Sequence, residues 1–92
     1  MPVGKRSKTD IYLNVLDLLC KEGGRVGKAS PTRVAHRANI PYDRFQKMID
    51  HLIEVELVGR TGNGLIITEK GLKCLFHLRQ TTELLRRFGL YQ

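Results

Sequence analysis

Tyr42, Asp43, Arg44, Gln46 and Lys47 fall within one short stretch, and each carries a group able to hydrogen-bond a base edge or a phosphate oxygen. A guanidinium can fork onto the two acceptors of guanine, an amide matches the donor and acceptor of adenine, and a carboxylate accepts from the amino group of cytosine. On this chemistry Arg44 suits guanine, Gln46 suits adenine, and Lys47 suits either a guanine or a phosphate. The Tyr42 hydroxyl can donate to a backbone oxygen. The same residues also suit a plain solvated helix face, on which Asp43 and Lys47, four apart, form an ordinary surface pair.

Cations dominate the neighbourhood. Between positions 24 and 47, Arg25, Lys28, Arg33, Arg37, Arg44 and Lys47 stand against Asp43 alone. Lys28, Ser30, Thr32, Arg33 and Arg37 are candidates for phosphate: they cluster at a second helix, whose N-terminus also presents backbone N–H groups without partners. Further on, Arg60 precedes Thr61, Gly62, Asn63 and Gly64, where glycine permits close approach of backbone to a strand and arginine suits a narrow minor groove. A structural turn with an incidental arginine is the plainer account of that segment. Lys5, Arg6 and Lys8 can form an arm that orders on a polyanion, or can remain a solvated tail. Against tight binding, Asp43, Asp50 and Glu54 share one open face and repel phosphates unless they are paired or accept from cytosine.

The elements that position these groups follow from capping residues and apolar spacing. Thr9 can cap a first helix, about 10 to 22, carrying Ile11, Tyr12, Val15, Leu16 and Leu19 on one side until Gly23 and Gly24 end it. Arg25 to Ala29 reads as a short basic link. Ser30 and Pro31 then supply a capping hydroxyl and a ring suited to the first helical position, so a second helix runs to about Ala38. Asn39 suits a left-handed exit, and Pro41 starts a third helix, about 42 to 55, whose Phe45, Met48, Ile49 and Leu52 face inward.

Leu57 to Arg60 and Leu65 to Thr68 are β-prone runs around a tip at Thr61 to Gly64, where Asn63-Gly64 signals a hairpin turn. Thr68 can cap a last helix reaching about Phe88, with Leu72, Leu75 and Phe76 on its core stripe. A second stripe, Cys74, Leu78, Thr81, Leu85 and Phe88, is spaced by four and three in alternation, as along a coiled-coil seam. It suggests a helix shared between two subunits; packing against the chain's own first helix is the alternative.

The 92 residues suffice for one domain with a modest core, and their 41% apolar content is ordinary for a globular chain. No run approaches the roughly 20 apolar residues of a membrane span. No secretory h-region follows the basic start, so a cytoplasmic, nucleoid-associated location is expected. Sixteen Lys and Arg against nine Asp and Glu give a net charge of +7, which favours a polyanionic partner.

Cys20 and Cys74 stand far apart without metal-ligand spacing, and His36, His51 and His77 form no cluster with them, so no metal and no cofactor are expected. Nor is there a nucleophile motif or a phosphate-binding glycine loop followed by Lys-Ser or Lys-Thr, so no enzyme activity and no small-molecule ligand are expected.

Helix, helix, turn, helix, hairpin, helix is the order of a winged helix. With Pro41-Tyr42-Asp43-Arg44-Phe45, then Leu57-Val58, then Ile67-Thr68-Glu69-Lys70-Gly71-Leu72, the chain resembles the small archaeal winged-helix regulators that end in a long dimerising helix. The resemblance spans about residues 9 to 88. It implies binding of double-stranded DNA by a homodimer, with the third helix in the major groove and the wing on the flanking backbone or minor groove.

The expected fold class is mainly α with a small β-hairpin (α+β). Residues 1–8 would form a basic tail and 9–68 a winged helix-turn-helix domain, with the helix-turn-helix about 30–55 and the wing about 57–68. Residues 69–92 would form a dimerisation helix pairing in an antiparallel coiled-coil-like dimer, although the seam spacing itself leaves parallel and antiparallel pairing open. The expected function is transcription regulation. Alternatives are an architectural nucleoid protein or a protein-interaction module on the same scaffold, and Cys74 on the seam leaves room for redox control.

Overall fold

The computed structural model describes residues 8–90. Helix α1 covers Lys8–Lys21, followed by a short 3-10 turn, Gly24–Val26. Helices α2 (Pro31–Ala38) and α3 (Tyr42–Glu54) come next, then strands β1 (Val58–Thr61) and β2 (Gly64–Ile67), and finally α4 (Glu69–Arg87). Among the described residues no helix is long and apolar enough to cross a membrane.

Local chemistry accounts for most boundaries. Ser30 caps α2, its hydroxyl accepting from the Arg33 N–H at 3.3 Å, with Pro31 behind it in the first helical position. Asn39 leaves α2 in the left-handed conformation, φ 58°, and its N–H closes on the Ala35 and His36 carbonyls. Thr68 caps α4: its hydroxyl accepts from the Gly71 N–H at 2.9 Å and donates to the Glu56 carbonyl at 2.7 Å, joining the start of α4 to the exit of α3. One boundary differs from the sequence expectation. Helix α1 begins at Lys8, so Thr9 lies inside the helix rather than at its cap.

The core fills the space between the helices and one face of the hairpin. Val15, Leu16 and Leu19 of α1 meet Val34, Ala35 and Ala38 of α2, Phe45, Ile49 and Leu52 of α3, Val58, Leu65 and Ile67 of the strands, and Leu75 of α4. Each large side chain removed from water here contributes about 1.5–3 kcal/mol, which offsets the ordering of a short chain. Phe76, expected on the core stripe of α4, is instead 58% exposed. One residue beyond Leu75 on a helix is turned about 100° away, to a side that the described residues leave open.

The hairpin is antiparallel, with Val58 opposite Ile67 and Thr61 opposite Gly64. Gly62 and Asn63 therefore form the two-residue loop, one position earlier than the Asn63-Gly64 signal suggested. Neither takes a positive φ; that falls to Gly64, at 149°. The reason lies outside the turn. Ala29, in the supposed link, bridges to Leu65: the Ala29 N–H donates to the Leu65 carbonyl at 3.2 Å and the Leu65 N–H to the Ala29 carbonyl at 2.9 Å. A Cβ on Gly64 would stand 2.5 Å from that Ala29 carbonyl oxygen. A single bridge therefore lies along the outer edge of the two-stranded hairpin, on β2 next to the tip. At the other end of β2, a Cβ on Gly71 would stand 2.1 Å from the Leu57 carbonyl oxygen, so glycine lets the first turn of α4 lie against the chain entering β1.

Candidate nucleic-acid interface

Helix α3 packs Phe45, Ile49 and Leu52 inward and turns the opposite side to solvent. Tyr42, Asp43, Arg44 and Lys47 are exposed on it, and Gln46 is half-buried at its edge beside the hairpin. Arg44 and Lys47 have no ion-pair partner among the described residues, and no pair forms between Asp43 and Lys47. Both cations are therefore available to an anion.

Gln46 is differently placed. Its Nε2 donates to the Tyr42 hydroxyl at 2.5 Å, and its Oε1 accepts from Arg60 Nη2 at 3.4 Å. The same nitrogen of Arg60 donates to Asp50 Oδ1 at 3.0 Å. A chain of polar contacts thus runs Tyr42, Gln46, Arg60, Asp50, joining three turns of α3 to strand β1. Its two middle members, a base-reading amide and a hairpin arginine, are separate features in the sequence, and spacing gives no means of joining them. Asp50, a carboxylate that would repel phosphate unless paired, is paired.

The cations of α2 are also engaged. Arg37 Nε lies 3.0 Å and Arg33 Nη1 3.7 Å from the two carboxylate oxygens of Glu22, a residue just beyond α1 whose side chain is only 10% exposed. Nothing in the sequence singled out Glu22. The periodicity of α1 and α2 marks which sides face inward, but not how the two helices cross. Ser30 serves α2 as its cap, and Thr32 is exposed on the first turn.

Lys28 and Arg25 are exposed on the segment that runs beside the tip end of the hairpin, neither with an ion-pair partner among the described residues. There the Thr61 hydroxyl donates to the Gly27 carbonyl at 2.5 Å and accepts from the Asn63 N–H at 3.1 Å, so it shapes the tip and ties it to the 3-10 turn. Gly62 is open, with nothing near the place a side chain would occupy. Lys8 is exposed at the start of α1; Lys5 and Arg6 lie outside the described residues.

These elements meet a known pattern. The family model for the winged helix-turn-helix matches residues 5–86. The chain belongs to the winged helix-turn-helix family. Its helices and two-stranded hairpin are those expected of this fold, which is typically a DNA-binding one without enzymatic activity. No curated protein matches the winged-helix chain closely enough to report.

The long α4 of this winged helix divides into two halves. Leu72, Leu75, Cys74 and Leu78 pack against the core, and Cys74 and Leu78 also line an apolar groove of about 310 Å³ with Tyr12, Leu16, Leu52, Val55 and Leu57. Beyond them Thr81 is exposed, Leu85 is half-buried, and Leu84, Phe88 and Leu90 are exposed at 52%, 72% and 69%. The expected seam is therefore partly engaged with its own chain in its first half and, among the described residues, open in its second except at the half-buried Leu85.

The two thiols are free and half-buried. Burial pushes the Cys20 thiol above its ordinary value, partly offset by the Arg25 guanidinium.

Proposed function

We propose that the protein binds duplex DNA as a homodimer and regulates transcription, with the first turns of α3 in the major groove and the wing against the flanking backbone or minor groove. The observation that supports this best is the joining of α3 and the wing into one polar surface by Arg60. Arg44 and Lys47 lie on α3, and Arg25 and Lys28 on the segment beside the hairpin, all without carboxylate partners among the described residues. A major groove about 12 Å wide admits one helix, and the N-terminal residues of that helix reach base edges first. The second observation concerns α4. Leu84, Phe88 and Leu90 are costly to leave in water and natural to bury against a second copy, which would set two α3 helices a helical turn apart or a multiple of it.

The test is retardation of random duplexes at low salt, followed by titration against salt. Binding whose logarithm falls with the logarithm of salt, by about 0.9 per phosphate neutralised, is expected. No retardation at micromolar protein would turn the reading toward a protein-interaction module. Sedimentation should give a dimer that Phe88→Ser with Leu84→Ser converts to monomer, and a wild-type monomer would remove the dimer from the proposal. A genome-wide binding profile separates a regulator, with few sites, from an architectural protein with broad coverage.

A further inference from the structure

We propose that Asp50 is a positioning residue: with Gln46 it holds Arg60 of the wing so that the unengaged side of the guanidinium is presented to DNA. The inference rests on the DNA-binding reading above and assigns a task to a carboxylate whose charge alone would oppose it.

A guanidinium has five N–H donors in a fixed plane. Arg60 spends the two on Nη2, one on Asp50 Oδ1 at 3.0 Å and one on Gln46 Oε1 at 3.4 Å. The Nε donor and the two on Nη1 have no partner among the described residues. A contact that served to conceal the arginine would cover those groups. This one anchors a single nitrogen and leaves three donors oriented, an arrangement suited to a phosphate or a base acceptor.

A purely structural role fits poorly. The side chains of Arg60 and Asp50 are 49% and 69% exposed, so the pair adds little to folding. What it does is remove rotamer freedom from a long side chain before binding, a cost otherwise met on association. Gln46 is engaged at both ends, to Arg60 and to the Tyr42 hydroxyl, so it also acts by holding its neighbours. Tyr42 accepts from Gln46 and keeps its own hydrogen for a DNA oxygen.

The experiment compares Asp50→Asn with Asp50→Ala, each alone and combined with Arg60→Ala, by fluorescence anisotropy on one duplex. Both substitutions remove the same negative charge, so any general gain from weaker repulsion is common to them. Only asparagine keeps the Oδ1 acceptor. Asp50→Ala should bind about fivefold more weakly than Asp50→Asn, the factor that one hydrogen bond of ordinary net strength carries. The difference should vanish in the Arg60→Ala background.

Equal binding by the two variants, or tighter binding by Asp50→Ala, overturns the proposal. So does a difference that survives Arg60→Ala, since asparagine would then be touching DNA itself. Failure of the wild-type protein to bind any duplex is a separate result, which overturns the DNA-binding reading and this inference with it. Thermal melts of all four variants should stay close to wild type, as expected for exposed positions.

Discussion

Replacing Glu22 by glutamine should move stability and DNA affinity in opposite directions. The Glu22 carboxylate is nearly enclosed and lies 3.0 Å from Arg37 and 3.7 Å from Arg33, whose own side chains are 58% and 70% exposed. With the cationic ends this wet, each pair contributes about 0–1 kcal/mol, so a combined loss of about 1 kcal/mol is expected. In a domain of this size that lowers Tm by about 4–8 °C. Glutamine has almost the same shape, so the packing beneath should be kept. Affinity should rise, because two arginines of α2, one in its first turn and one in its last, lose the carboxylate that competes with phosphate for them. If both then reach phosphates, the slope of log affinity against log salt steepens by up to about 1.8, twice the value per contact. Between about 50 and 200 mM salt this amounts to roughly a further tenfold fall in affinity relative to wild type. Anisotropy titrations across that range read the slope directly, and calorimetry reads Tm. An unchanged slope, with Tm lowered, would mean that Glu22 does not restrain these arginines and that α2 is not a phosphate-binding element.

Gly71→Ala should destabilise the fold by about 3 kcal/mol or more, although alanine is the better helix former by about 1 kcal/mol, because the added methyl would stand 2.1 Å from the Leu57 carbonyl oxygen and 2.7 Å from Ile67. Urea denaturation checks it, and a neutral or stabilising result would show that α4 shifts freely on β1. Alkylation of Cys20 in a Cys74→Ser variant should be slower than that of a small free thiol at mildly alkaline pH. Because burial raises its pKa, less thiolate is present there, and the rate profile should climb at higher pH than the free thiol's. A profile climbing at the same pH or lower would contradict the burial argument.

The features legible in the sequence were those fixed by near neighbours. Ser30, Asn39 and Thr68 set helix ends through bonds to residues three or four away, and all three act at the boundaries expected of them. The inward faces of α1 and α3 followed from spacing alone. What spacing could not reveal was contact between distant segments. The bridge of Ala29 to Leu65 ties an apparent link to the edge of β2, next to the left-handed Gly64 and the turn. Glu22 with Arg33 and Arg37, and Asp50 with Arg60, are likewise consequences of how helices cross and where the wing lies. Phe76 shows the same limit from the other direction: an apolar residue next to a core stripe has no address until the neighbouring elements are placed.

The attachment of the wing bears on how such a molecule would tell one DNA site from another. Both backbone bonds between Ala29 and Leu65, the Thr61 hydroxyl on the Gly27 carbonyl and the Arg60 contacts on α3 fix the hairpin at three places. Two of these ties run to the segment before α2 and one to α3 itself, so a preferred spacing between α3 and the hairpin is present in the folded chain. A duplex engaging both must bring its groove to that distance, and the energy of doing so depends on how stiff its base steps are. The protein would then act as a gauge of groove width, favouring sequences that already fit and rejecting others at base pairs it never touches.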